Sequence, residues 1–300
     1  MAVHSVFVVP IDSASPDVVR IFVAASADEW LPAKVLEFSI RERASREIEF
    51  ASIASFGRSI PQPLHRRSQP RTPFSFQRFL IPELCAYRGR AIYLDADMQA
   101  FADIADVWGL PMNDNDLLTV AASGAGRAEQ NSVMLLDCER LAWRIEDIVE
   151  ALNDGRYSYE QLLHGMCVAE HIARTIPRGW NSLEHYDASD TRLLHYTDMN
   201  THPWVTTSNP LCHFWVACLR RALDSGFITR DEVQREVTAS RVRPSLLSQM
   251  DSTHDDPRAL SLAIRRMDRG FTAPYQRLPS VGQRPWAPLA TLAHRVRQWW

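Results

Sequence analysis

Short apolar, β-branched runs alternate with longer amphipathic stretches through the first half of the chain, the pattern of a sheet covered by helices. Strands are expected at Val6 to Val9, Arg20 to Ala25, Ile48 to Ile53, Ala91 to Leu94, Leu118 to Ala122 and Val133 to Leu136. Leu31 to Arg43 reads as a helix whose inward face carries Leu31, Val35, Phe38 and Ile40. The prolines at 61, 63, 70 and 73 make Ser55 to Pro73 a loop, and its Arg58, Arg66, Arg67 and Arg71 form a positive cluster. That cluster fits either an anionic ligand or ordinary solvation. From Asn209 the pattern turns helical, with Cys212 to Ser225 and Arg230 to Val237 separated by a stop at Asp224-Ser-Gly226. Residues 251–288 are expected to be irregular. Leu289 to Trp300 has an apolar helical face opposite Arg295, Arg297 and Gln298, suited to the protein's own core or to a membrane interface.

Composition narrows the class. With 46% hydrophobic and 23% charged residues and a net charge of −3, the 300-residue chain is expected to form one or two soluble domains. The near balance of charge disfavours nucleic acid as a partner. No apolar run approaches the ~18 residues of a membrane span, and the start lacks the basic and apolar regions of a secretory signal, so a cytoplasmic location is expected. Five scattered cysteines without a CxxC pair read as buried thiols. Lys34 is the only lysine among 33 basic residues, a bias suited to forked phosphate contacts and equally to genome composition.

The chemistry concentrates at Arg90-Ala-Ile-Tyr-Leu-Asp-Ala-Asp-Met98. Four apolar residues make a buried strand, and Asp95 and Asp97 follow at its C-terminal end, where open α/β sheets bind ligands. Two residues apart on a strand, they share one face. Paired carboxylates need a cation between them, and hard oxygen donors select Mg²⁺ or Mn²⁺. A surface turn that happens to hold two acids is the alternative.

The wider context resembles glycosyltransferase family 8. Thr72-Pro-Phe-Ser-Phe-Gln-Arg-Phe-Leu-Ile-Pro-Glu-Leu84, then Arg90 to Met98, then Phe101 to Trp108 follow the family's order of an RF–PEL helix, a YLDxD strand and a segment ending in tryptophan. Arg20 to Ser26 is similar to its first strand and nucleotide-binding turn, Asn131-Ser132 to its sugar-site pair, and Glu160-Gln161 to its Asp-Gln. Pro177 to Asn181 and His195-Tyr-Thr-Asp-Met-Asn-Thr-His-Pro-Trp204 are similar to later segments. Val133 and Asp198 stand where the family has glycines, and His202 where it has a diphosphate-binding lysine.

The resemblance implies a GT-A type α/β fold over residues 1–208, a mixed central sheet flanked by helices, with a helical C-terminal extension over 209–300. It implies a retaining transfer of a hexose from a UDP-sugar to a carbohydrate, lipid-linked or small-molecule hydroxyl, with Mn²⁺ or Mg²⁺ held by Asp95, Asp97 and His195. Arg78 would face the donor, with Ala24, Ala25 and Ser26 near uridine and Ala96 in the acidic motif. Asn131, Ser132 and Glu160 would stand at the donor sugar, Gln161 near the anomeric carbon and His202 at the diphosphate. Two other readings stand beside this one. A haloacid dehalogenase-type phosphotransferase also carries DxD, but Gln99 and the shortage of lysine fit it poorly. A catalytically degenerate scaffold that binds nucleotide sugars is suggested by His202 and the missing glycines.

Overall fold

A computed structural model describes residues 17–70, 72, 74–121 and 131–277. The sequence-predicted strand at Val6 to Val9, Arg71, the end of the strand at Ala122 and the helix at 289–300 lie outside the described residues.

The chain enters as β1 (Val19–Ala24), α1 (Trp30–Arg41) and β2 (Ile48–Ser52). The proline-rich stretch holds two 3-10 turns, Ile53–Phe56 and Arg66–Ser68. A 3-10 turn over Gln77–Leu80 then leads directly into α2 (Ile81–Leu84), so the expected RF–PEL helix is a 3-10 turn plus one α-turn. Pro82 explains the change of register: without an N–H it is best placed in the first turn of a helix. β3 (Arg90–Asp95), β4 (Met98–Ala100), α3 (Ala105–Trp108), β5 (Leu117–Val120) and β6 (Val133–Asp137) follow. Then come α4 (Ile145–Asn153), α5 (Tyr159–Leu163), β7 (Ile172–Ile176), β8 (Ser182–Leu183) and β9 (Leu193–His195). The last third contributes α6 (Cys212–Asp224), α7 (Arg230–Thr238), α8 (Ser245–Asp251) and α9 (Leu262–Arg266). The supposed irregular tail is therefore interrupted by α9 and by 3-10 turns at Pro257–Ala259 and Pro274–Arg277.

Six strands form a mixed sheet in the order β2-β1-β3-β6-β5-β7, and β4-β9-β8 form a second, smaller one. β2, β1 and β3 are parallel, β6 runs antiparallel to both β3 and β5, and β7 is parallel to β5. Alternate residues sort to opposite faces, as a period of two requires. Phe22, Tyr93, Met134 and Leu136 pack with Phe76, Phe79 and Leu152 of α4 on one side, whereas Ile21, Val23, Ile92, Leu94 and Leu135 pack with Leu36 and Ile40 of α1 on the other.

A third apolar cluster joins the C-terminal helices to the sheet domain. Leu31 and Val35 of α1, Leu194 of β9, Tyr196 and Trp204 pack against Trp215, Val216 and Leu219 of α6 and Leu246 of α8. Phe38 faces Phe227 at 5.6 Å between ring centroids, so the outer edge of α1 serves the extension. A bidentate pair from Arg221 to Glu42 closes the seam at 2.6 and 3.0 Å. Among the described residues no helix is long and apolar enough to cross a membrane. Four of the five cysteines are buried, but Cys167 is exposed, contrary to the expectation for all five, because it follows α5 on a surface turn.

Candidate metal centre

Ala24 and Asp95 are register partners at the ends of the parallel strands β1 and β3, which brings the turn after β1 alongside the acidic motif. Asp95 closes β3, Ala96 and Asp97 form a bend, and Met98 opens β4. The two carboxylates therefore converge through a bend between strands of different sheets and not through alternation along one strand. β9 lies antiparallel to β4 with His195 opposite Met98, and the Tyr196 amide donates to the Asp97 carbonyl at 2.9 Å. That pairing carries His195 to the acidic bend. Ligand atoms of Asp95, Asp97 and His195 all lie within 4.8 Å of one another.

These three residues fit a divalent cation. Nδ1 of His195 lies 2.8 Å from Oδ1 of Asn181, an oxygen that only accepts, so Nδ1 carries a proton and Nε2 keeps its lone pair for a metal. Nε2 stands 3.1 Å from Oδ1 of Asp97. Two ligands each about 2.1 Å from one cation at a right angle stand about 3 Å apart, so this spacing suits neighbouring positions around Mn²⁺ or Mg²⁺. Without a metal, the pair polarises its own protons. Burial opposes ionisation of Asp97, but the charge and hydrogen bond of His195, then His202, outweigh it and hold the carboxyl well below the usual range. Burial likewise opposes protonation of His195, and Asp97 overcomes it to raise the imidazole's pKa. A cation bound here would compete with a proton for Nε2 of His195.

Asp95 is oriented from the other side. The Tyr93 hydroxyl donates to its Oδ1 at 2.5 Å, and the Arg78 guanidinium, stacked 4.5 Å above the Tyr93 ring, approaches the same oxygen at 3.5 Å. Arg78 also donates to the Asn131 carbonyl at 2.8 Å, and its buried Nε has no hydrogen-bond partner. It is a cation held at the metal centre with one donor left over.

Other expected site residues are occupied with the fold itself. Ser26 caps the 3-10 turn Ala27–Glu29, accepting from the Asp28 amide and donating to Glu29. Both backbone groups of Ala25 are clamped by the Gln77 amide, at 3.2 and 3.4 Å, so they are not free for uracil as expected. Asn131 donates to the carbonyls of Leu163 and His164 and accepts from Thr119, which ties β6 to the end of α5 and leaves its amide little capacity for a sugar hydroxyl. The Ser132 carbonyl receives the Asp95 amide at 3.1 Å. Gln161 closes a capping box with Ser158 at the start of α5, where it and Glu160 are exposed. His202, expected at a diphosphate, is turned inward onto Asp97 and Tyr196. Of the loop arginines, Arg58 is engaged by Glu83 and Glu146.

Residue reading alone did not single out Asn181, Tyr93 or Gln77. Asn181 lies inside the Pro177 to Asn181 segment and Gln77 inside the Thr72 to Leu84 motif, and those places are their available signals. Asp198 takes no left-handed backbone conformation, and its carboxylate receives both the amide and the side chain of Asn200, so this turn has no need of the family's glycine.

A family model described as Glycosyl transferase family 8 matches residues 30–170, the segment that carries the acidic bend. This segment, just under half of the chain, is similar to glycosyltransferase family 8. Protein CDI of Arabidopsis thaliana is 37% identical over 93 residues, 30% of this chain and 36% of that protein, so the match spans about a third of the curated relative. Among solved structures, the fold is similar to that of the WbbM bifunctional glycosyltransferase, with a TM-score of 0.53, 10% identity and coverage of 69% of this chain and 50% of that one. It is similar to the galactosyltransferase LgtC in complex with donor and acceptor sugar analogs, with a TM-score of 0.51, 14% identity and coverage of 67% and 95%. GlyE of Streptococcus pneumoniae matches with a TM-score of 0.50, 16% identity and coverage of 67% and 60%. At these identities the likeness establishes the fold, which is of GT-A type.

Proposed function

We propose that the protein is a metal-dependent, retaining glycosyltransferase that moves a hexose from a UDP-sugar to an acceptor hydroxyl in glycan or glycolipid synthesis. The observation that carries this reading is the convergence of His195 on Asp95 and Asp97, the two carboxylates of the segment that matches family 8. The donor and a carbohydrate, lipid-linked or small hydroxyl acceptor come from the family alone.

Breaking the bond from the anomeric carbon to a phosphate oxygen leaves negative charge on the diphosphate. A bound Mn²⁺ or Mg²⁺ supplies a Lewis acid that stabilises this leaving group. Asp95, Asp97 and His195 would hold the cation, and the Arg78 guanidinium, 3.5 Å from Asp95, would add a second positive charge toward the donor. Retention is assigned to attack by the acceptor on the face the diphosphate leaves, because an amide such as Gln161 is a poor nucleophile. In the described structure Gln161 is engaged in its cap, so stabilisation of the cationic sugar by its amide requires that cap to open. Residues 1–208 form the transferase domain in this reading and 209–300 its helical extension. The location is cytoplasmic, with peripheral membrane contact assigned to residues 286–300.

A degenerate nucleotide-sugar-binding scaffold is the second reading. It is favoured by the inward turn of His202 and the structural engagement of Asn131. Release of UDP from a panel of UDP-sugars, measured with Mn²⁺ and with chelator, separates the two. Release that requires Mn²⁺ and is absent from Asp97→Asn supports the enzyme; no release from any donor, with UDP still bound, supports the scaffold.

A further inference from the structure

His202 stands where the family's diphosphate-binding lysine is expected, yet it faces into the protein and is only 8% exposed. Its Nε2 is 2.6 Å from the Tyr196 carbonyl and 3.5 Å from Oδ2 of Asp97. A carbonyl oxygen only accepts, so Nε2 carries the proton and shares it between these two oxygens. This nitrogen therefore has neither a lone pair for a cation nor a free N–H for a phosphate. Asp97 is gripped on both oxygens: His195 faces Oδ1 and His202 faces Oδ2.

The ring is held in place from behind. It stacks on Trp204 at 4.3 Å between centroids, and Trp204 packs on Trp215 of α6 at 5.4 Å. The fully buried Arg243, from the C-terminal extension, donates its Nε to the Pro203 carbonyl at 3.1 Å and its backbone N–H to the Trp204 carbonyl at 2.8 Å. The imidazole thus sits on a rigid shelf built by the extension.

We propose that His202 is a positioning residue that fixes the rotamer of Asp97, so that Oδ1 meets the cation beside His195 Nε2, and that it is not a ligand of the donor diphosphate. The C-terminal extension then contributes to metal affinity without touching the metal. This inference rests on the metal-centre reading above, and it differs from that reading in where it fails.

The test titrates Mn²⁺ into the metal-free full chain without nucleotide, following the electron paramagnetic resonance signal of free Mn²⁺, and then measures UDP affinity at saturating Mn²⁺. His202→Phe keeps a planar ring without the donor, and His202→Gln places an amide N–H near the position of Nε2. His202→Phe is expected to weaken Mn²⁺ binding at least about tenfold, and His202→Gln to stay within about threefold of wild type, the scale seen when a group orienting a metal ligand is removed or kept. UDP affinity at saturating Mn²⁺ is expected to match wild type in both. Wild-type Mn²⁺ affinity in His202→Phe, with UDP affinity reduced, overturns the proposal and returns His202 to the diphosphate. If His202→Phe does not fold, His202→Gln decides: folded protein with Mn²⁺ affinity lost overturns the proposal, and affinity kept supports it. Asp97→Asn separates the two inferences, since Mn²⁺ binding that survives this change removes the metal-centre reading itself.

Discussion

Asp95, Asp97 and His195 and the trio Ser26, Asn131 and Gln161 come from the same set of sequence motifs, yet the fold uses them in opposite ways. In the first group, ligating atoms face one point and the surroundings only orient them: Asn181 behind His195, Tyr93 and Arg78 behind Asp95. In the second, each side chain already has internal partners, a cap for Ser26 and for Gln161 and three ties for Asn131. Ligating atoms that converge on one point and are oriented there from behind define a site for something else. Polar atoms already paired define the frame around it.

The largest expected effect breaks the first group directly. Asp97→Asn removes one ligand and the anion that neutralises the cation. Donor cleavage in Mn²⁺ should fall about a thousandfold or more, the rate equivalent of about 4 kcal/mol of lost charge stabilisation, with the fold kept. Rates of UDP release before and after the change measure it, and a small change would move Asp97 to the frame. Next comes Gly179→Ala, which attacks the same group from behind. A Cβ at Gly179 would lie 2.1 Å from the Asp190 carbonyl, so the turn bearing Asn181 must shift. Crowding of this kind costs about 1–3 kcal/mol of stability. Because Asn181 fixes the His195 tautomer, Mn²⁺ affinity should fall as well. Denaturant unfolding and Mn²⁺ titration on the same preparation test both, and stability lost with metal affinity intact would separate Asn181 from the site.

The metal centre was legible because each of its pieces is local in sequence: an apolar strand ending in Asp95 and Asp97, and a His-Tyr…Pro-Trp segment. The geometric reason read from spacing was different from the real one. Alternation along one strand could not reveal that Ala96 and Asp97 bend the chain into a second sheet, because the break is imposed by pairing with β9, about a hundred residues later. Five strands of the six-stranded sheet, β1, β2, β3, β5 and β6, agree with the expected runs to within a residue or two, since β-branched runs bounded by polar residues carry that signal locally, whereas β7 and the short β4, β8 and β9 are not expected from the sequence. α4 also carries a local signal, with Ile145, Ile148, Val149 and Leu152 at helical spacing. Arg243 has none, and Gln77 only its place in the Thr72 to Leu84 motif. A buried arginine that holds two backbone carbonyl neighbours in place, or a glutamine that clamps a turn 52 residues away, is defined only by tertiary contacts.

The second group breaks more gently. In Asn131→Ala, two carbonyls and a threonine hydroxyl lose their partner inside the protein, which should cost about 2 kcal/mol in equilibrium unfolding. If Asn131 belonged to the sugar site, the change would raise the donor KM at unchanged stability, and the division between the two groups would fail at this residue.

Ser26→Ala gives the smallest effect, and pH sharpens it. Loss of the cap should cost about 1 kcal/mol near neutrality. Glu29, the partner in that cap, has its pKa raised above the ordinary 4.5, mainly by burial, while the Ser26 hydrogen bonds pull it down and the charge of Asp97 adds a little upward. Below the ordinary value the carboxyl is protonated in both folded and unfolded chains, and its contribution to stability is fully present there. As pH rises, the unfolded chain ionises first, and that contribution is lost until the pH passes the elevated folded value. Removing the Ser26 hydroxyl takes away a bond that favours the ionised form, so the folded value climbs and the window of loss widens. The deficit of Ser26→Ala relative to wild type should therefore grow in denaturant titrations as pH rises from the ordinary carboxylate value through the elevated folded one. A deficit that does not change with pH would mean that Ser26 serves Glu29 by packing alone, and would leave its hydroxyl free for a ligand.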